Sequence, residues 1–151
     1  MGGISGSAVA GTYSIVVSGM YDDLDKDEGD QIFYSGSNSH ENTSAEPITS
    51  NKTKALERSV ATRKPVRVFR SSQGKWKYSP RAGLRYDGLY TVFNMTIEKN
   101  GKGGSYKRFK FKRLEEQGEI QSNSPSQNLI NLFKRVKDGY TRTRPCLIPL
   151  Q

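Results

Sequence analysis

The run from Ser105 to Arg113, SYKRFKFKR, alternates: Phe109 and Phe111 fall on one side, Arg108, Lys110 and Lys112 on the other. Successive side chains of a β-strand point to opposite faces, so a period of two describes a strand half in a core and half in water. A helix would scatter the same residues around its axis. The chain is therefore expected to build a sheet with one apolar face and one cationic face. Other runs extend that sheet. GTYSIVVS, from Gly11, puts Tyr13, Ile15 and Val17 on one face, and QIFYSG ends at Gly36. PVRVFR starts cleanly at Pro65 with Val66 and Val68 on one face. GLYTVFNM is apolar on both faces, which predicts a central strand buried on two sides. WKYS is expected to add a short strand, TKALERSV about two turns of helix, and NGKGG a turn. The polar SNSHENTSAEP reads as a loop that contributes nothing to the core.

Beyond residue 120 one helix is predicted. Ser124-Pro125-Ser126-Gln127 fits a capping box with proline at the first helical position, and Leu129, Ile130, Phe133 and Val136 recur at helical spacing. Gly139 ends it, and Lys134, Arg135 and Lys137 suit its negative C-terminal end. The expected organisation is one folded domain over residues 1–120, followed by a helix and basic tail (TRTRP) over 121–151. The expected class is α+β: about five strands, mostly joined by turns, in a curved, barrel-like sheet with one or two helices.

With 151 residues and fifteen aromatics, one hydrophobic core is affordable and two are not. No apolar run reaches the ~18 residues of a membrane span and no leader resembles a signal peptide, so the chain reads as soluble and intracellular. Cys146 and His40 stand alone, which rules out an internal disulfide and a zinc site of several Cys and His ligands. Charge is divided unevenly. Residues 1–51 hold eight acids and one base (Lys26), a net of −7, whereas residues 52–151 carry a net of +16. A basic field of that size attracts polyanions, of which nucleic acid is the commonest.

Six of the fifteen acids sit in SGMYDDLDKDEGDQIFYSG, Ser18 to Gly36. Asp23, Asp25 and Asp27 imitate the alternate carboxylates of an EF-hand, but Glu28 and Tyr34 stand where that loop needs Gly and Glu. A glycosidase pair normally comes from separate elements around a cleft, not from one loop. Composition alone leaves a solvated charge run. Taken alone, Tyr21 and Tyr34 read as ordinary strand-end core aromatics.

A more specific reading comes from five strings in order: SIVVSGMYDDLD, FYSG, KPVRVFR, RYDGLYTV and FKFKRL. Over residues 3–114 their order and spacing resemble the SET- and RING-associated (SRA) domain, also called the YDG domain. The resemblance implies a crescent-like, twisted β-barrel, related to the PUA fold, with flanking helices. It implies a non-catalytic reader of 5-methylcytosine, or a related modified cytosine, in double-stranded DNA, which flips the base into a pocket. An extruded base needs stacking on both faces and an acceptor for its exocyclic amine. By the resemblance Tyr21 and Tyr34 are the sandwiching aromatics and Asp23 the acceptor. Ser35 stands where the family has threonine at the pocket wall, and Gly19 and Met20 bring backbone toward the base.

Tyr86, Asp87 and Gly88, which name the family, are read as a fold device, an Asp-Gly turn leading into a strand. Candidate phosphate contacts are Ser37, Arg63, Lys64, Arg67, Arg70, Arg108, Lys110 and Lys112. Asp25, Asp27, Glu28 and Asp30 are expected to keep phosphates off the pocket mouth. No cofactor, metal or catalytic residue is expected; a nuclear location and a fused or associated chromatin-modifying or nuclease domain are. The chain departs from the family in three places. It opens at Gly2-Gly3-Ile4, inside the usual domain start and past a Gly-His-Arg-Pro-like wedge segment; Met20 replaces a second glycine; and residues 37–50 carry no Asn-Lys-Arg tip. The first two departures motivate an alternative in which a degenerate domain serves as a nonspecific DNA-binding or protein-interaction scaffold, and because of the third no hemimethylated selectivity is expected.

Overall fold

A computed structural model describes residues 3–18, 24–74 and 76–120, together with residues 128, 131, 132 and 134–136. Among the described residues seven strands form one sheet: β1 (Ile4–Ser7), β2 (Gly11–Val17), β3 (Lys26–Asp27), β4 (Gln31–Ser35), β5 (Val66–Ser71), β6 (Leu84–Lys99) and β7 (Ser105–Arg113). Their hydrogen-bonded order is β1-β2-β5-β6-β7-β4-β3. Among the described residues only β2 and β5 run parallel, and the helix α1 (Asn51–Thr62) lies between β4 and β5 in the chain. The ladder is open, with β1 and β3 at its edges, so the expected barrel is not closed among the described residues.

The alternation in β7 is realised. Phe109 and Phe111 are fully buried, and they meet Ile32, Ile15, Val17, Val66, Val68, Val92 and Leu56 in one core. Leu56 comes from α1, which therefore covers the face of the sheet that carries the phenylalanines. The helix is longer than the two turns expected. Ser50 caps it by accepting from the Thr53 N–H, and Arg63 closes it in the left-handed region (φ 58) while its N–H reaches the Ser59 carbonyl.

Three expectations are corrected. WKYS is a turn, with the Ser79 N–H on the Trp76 carbonyl at 3.0 Å, although Trp76 still packs on the core. β6 runs for 16 residues, taking in RYDG at one end and TIEK at the other. It is buried on one face only, because α1 covers one side: Tyr90 and Val92 are buried and Thr91 and Phe93 are not. Tyr13 is exposed and does not share the burial of Ile15 and Val17. The polar loop after Gly36 contributes nothing to the hydrophobic core, as expected, and it is anchored by hydrogen bonds: the Asn42 side chain donates to the Ser44, Glu46 and Ser105 carbonyls and Asn100 donates to those of Ser39 and Asn42.

Of the predicted C-terminal helix, residues 128, 131, 132 and 134–136 are helical, and Leu132 and Val136 are exposed. Its cap and Leu129, Ile130 and Phe133 lie outside the described residues. No helix among the described residues is long and apolar enough to cross a membrane. Phe111 is central to the core, so Phe111→Ala should cost about 3–5 kcal/mol of stability. Urea denaturation checks this, and a loss under about 1 kcal/mol would mean the site collapses freely.

Candidate nucleic-acid interface

The acidic stretch is built into the fold. Asp27, on the two-residue strand β3, accepts two bonds from Arg70, Nε to Oδ2 and Nη2 to Oδ1, both at 2.7 Å. The third guanidinium nitrogen, Nη1, donates to Asp87 Oδ2 at 2.8 Å, and Arg85 Nε donates to Asp87 Oδ1 at 2.6 Å. Two guanidinium groups and two carboxylates thus balance in charge, and the side chains of Arg70, Asp27 and Asp87 are each 1% exposed. Burial works against the charge on Arg70, but Asp27 outweighs it, helped by Tyr90 and Asp87, and holds the guanidinium pKa above its usual range. The Tyr90 hydroxyl donates to the Gly29 carbonyl at 2.6 Å, and burial raises its pKa. Gly29 itself has φ 85, and a Cβ there would lie 2.7 Å from the Tyr78 ring. Only glycine passes between that ring and the clamp.

Arg70 is therefore no phosphate contact. Its parity on β5 puts it on the same face as Val66 and Val68, where its charge is consumed by Asp27 and Asp87. Asp87 has the structural role expected of it, although no turn is formed. Asp87-Gly88 lies within β6 beside an irregular register with β5. Gly88 (φ 101) leaves room for Gln117, whose amide brackets Leu89 through bonds to its N–H and carbonyl, both at 2.7 Å.

The acids assigned to phosphate repulsion are mostly engaged as well. Asp25 Oδ1 accepts from the Ser35 N–H at 2.7 Å, Asp27 sits in the clamp, and Glu28 pairs with Lys26 at 3.0 Å. Ser37 serves the start of α1, with its hydroxyl on those of Ser50 and Thr53.

Tyr34 projects from β4 on the core side, edge-on to Phe111 with 6.1 Å between ring centroids. Its hydroxyl donates to the Val16 carbonyl at 3.5 Å. Gly19, Met20, Tyr21 and Asp23 lie outside the described residues. The chain that flanks them is held on both sides: Ser18 lies against Gly74, Leu24 is 5% exposed, and Asp25 and Asp27 follow with their fixed partners. Ser35 is buried and on the opposite face from Tyr34, with no hydrogen-bond partner for its hydroxyl. Arg63, Lys64 and Arg67 are exposed beyond α1 and on β5. Arg108 stacks on Phe33 at 4.5 Å, Lys110 lies 5.8 Å from the same ring, and Lys112 is exposed. Among the described residues, no group of three His, Cys, Asp or Glu side chains could hold a metal ion.

The sequence profile of the SAD/SRA domain matches residues 1–117. The chain belongs to the SAD/SRA domain family. A UHRF1-like protein of Cryptococcus neoformans is 37% identical over 134 residues, which cover 78% of this chain and 39% of that protein. The E3 ubiquitin-protein ligase UHRF1 of Danio rerio is 31% identical over 165 residues, 91% of this chain and 21% of the ligase. The chain thus spans well under half the length of these curated relatives. The solved SUVH5 SRA domain in complex with methylated CHH DNA superposes with a TM-score of 0.64 at 28% identity, covering 80% of this chain and 79% of that one. A modification-dependent restriction endonuclease, TagI, superposes with a TM-score of 0.67 at 33% identity, covering 78% and 43%. In this SRA domain the YDG triplet supplies the Asp87 half of the clamp.

Arg70→Lys keeps the charge but loses the planar fork that joins two carboxylates. It should lower stability by about 1.5–3 kcal/mol, while Lys112→Gln should stay within about 0.5 kcal/mol of the parent. Equal small effects in urea denaturation would place Arg70 outside a clamp.

Proposed function

We propose that this SRA domain reads 5-methylcytosine, or a related modified cytosine, in duplex DNA, accepting the flipped base between Tyr34 and Tyr21 with Asp23 taking the exocyclic amine hydrogen. The observation that carries the reading is local. Tyr34 is braced on Phe111 and on the Val16 carbonyl, and the chain that follows Asp23 is bolted at Asp25 and Asp27. A braced ring stacks on a base without first losing its own freedom. Support also comes from the related SUVH5 SRA domain, solved with methylated CHH DNA and with fully methylated CG DNA.

The chemistry follows from what flipping costs. Extrusion costs a few kcal/mol of stacking and pairing. Aromatic stacking returns about 1–3 kcal/mol per base, and a carboxylate distinguishes cytosine by its amine donor. The methyl group is sensed by shape. Sequence-independent affinity comes from phosphate contacts, for which Arg63, Lys64 and Arg67 are exposed candidates off β7. The binding role needs no catalytic group of its own, and the ligase activity named in the relatives belongs to proteins about five times as long. A nuclear location and fused enzymatic domains are part of the same proposal.

Titration of fluorescent duplexes with and without one 5-methylcytosine tests the reading. The modified duplex should bind about tenfold tighter, ~1.4 kcal/mol. Asp23→Ala should erase that preference and leave the salt dependence intact. Tyr34→Ala should weaken binding of the modified duplex by about 1–3 kcal/mol. Equal affinities for both duplexes would favour the nonspecific scaffold.

A further inference from the structure

The pairing registers place the cations of β7 on the far side of the sheet from Tyr34. Residues opposite one another on neighbouring strands share a face. Tyr34 pairs with Phe109 and Ile32 with Phe111, all on the core side. Gln31, Phe33 and Ser35 pair with Lys112, Lys110 and Arg108, and on the other flank Thr91, Asn94 and Thr96 pair with the same three residues. The Tyr34 ring and the cations of β7 therefore lie on opposite faces of the sheet.

This outer face has the character of a phosphate surface. The ion pairs of the described residues use Lys26, Arg70, Arg85, Lys102 and Lys107, and none uses Arg108, Lys110 or Lys112. Among the described residues Arg108 Nε is buried without a hydrogen-bond partner, and its guanidinium carbon lies over the Phe33 ring, 4.5 Å from the centroid. The three cations stand at alternate positions of one strand, about 6.7 Å apart, and hydrogen-bonding side chains of Gln31, Thr91, Asn94 and Thr96 flank them. The acids nearby are Glu98, bonded to Thr96, Glu28, paired with Lys26, Asp25, whose Oδ1 accepts from the N–H of Ser35 opposite Arg108, and the exposed Asp30 beside Gln31.

We propose that the outer face of β4 and β7 binds the phosphate backbone of a second DNA duplex, so that one domain bridges two duplexes. The occupant is chosen by charge complementarity: a row of cations in no ion pair with the described residues gains most from a regular polyanion that releases counterions. The inference rests on the proposed pocket only for the identity of the first duplex.

Capture of a labelled unmodified duplex by a bead-bound duplex carrying one 5-methylcytosine tests it, using the full 151-residue chain. The parent should bridge the two at low salt. Lys110→Glu/Lys112→Glu should cut capture at least about tenfold and lower the salt slope for the second duplex by about 2, with affinity for the first duplex changed less than about twofold. Lys110→Gln/Lys112→Gln serves if charge reversal impairs folding, as read from thermal melts. Parallel loss of both affinities would overturn the inference, because the cations would then face the first duplex. Undiminished capture, capture only under conditions where sedimentation shows a dimer, or stronger competition by poly-glutamate than by DNA of equal charge would overturn it too. Bridging of two unmodified duplexes, abolished by the same variants, would support this inference and count against the pocket reading alone.

Discussion

One guanidinium ties this fold together. Arg70 joins Asp27 of the acidic stretch to Asp87 of the YDG triplet, and so joins β3 at the sheet's edge to β5 and β6 near its centre. A buried ion pair adds little over a well-packed apolar substitute, but loss of one partner leaves an uncompensated charge. The clamp therefore specifies geometry more than it adds stability. It determines where the acidic hairpin returns to the sheet, and with Asp25 on Ser35 it fixes the chain just after the segment that carries Tyr21 and Asp23.

Much of this was legible in the sequence. The period of two in SYKRFKFKR and PVRVFR reported faces correctly because burial on one side of a strand permits no other register. The same parity contains the signal for Arg70. In VRVFR it shares a face with Val66 and Val68, and a cation on a core face needs buried carboxylates nearby. Grouping it with the exposed Arg67 overlooked that alternation. The length of β6 was hidden by Asp87-Gly88, which reads as a turn locally but is carried through as a strand irregularity by Gln117 and the clamp. β3 and the open ladder depend on contacts far apart in sequence, which periodicity does not encode.

The uneven charge of the chain now has a spatial meaning. Asp25 and Asp27 are consumed by structure and Glu28 is paired, while among the described residues no ion pair uses Arg108, Lys110 or Lys112. Tyr34 and these cations occupy opposite faces of one sheet. Family membership covers residues 1–117, and the exposed Leu132 and Val136 lie beyond it.

The central claim concerns where a modified base goes, and a crystal structure of the chain with a duplex containing one 5-methylcytosine addresses it most directly. The account predicts the modified base outside the helix, stacked on the Tyr34 ring with its amine within hydrogen-bond distance of Asp23. A duplex bound with every base stacked inside, or one lying wholly on the β7 face, would contradict it.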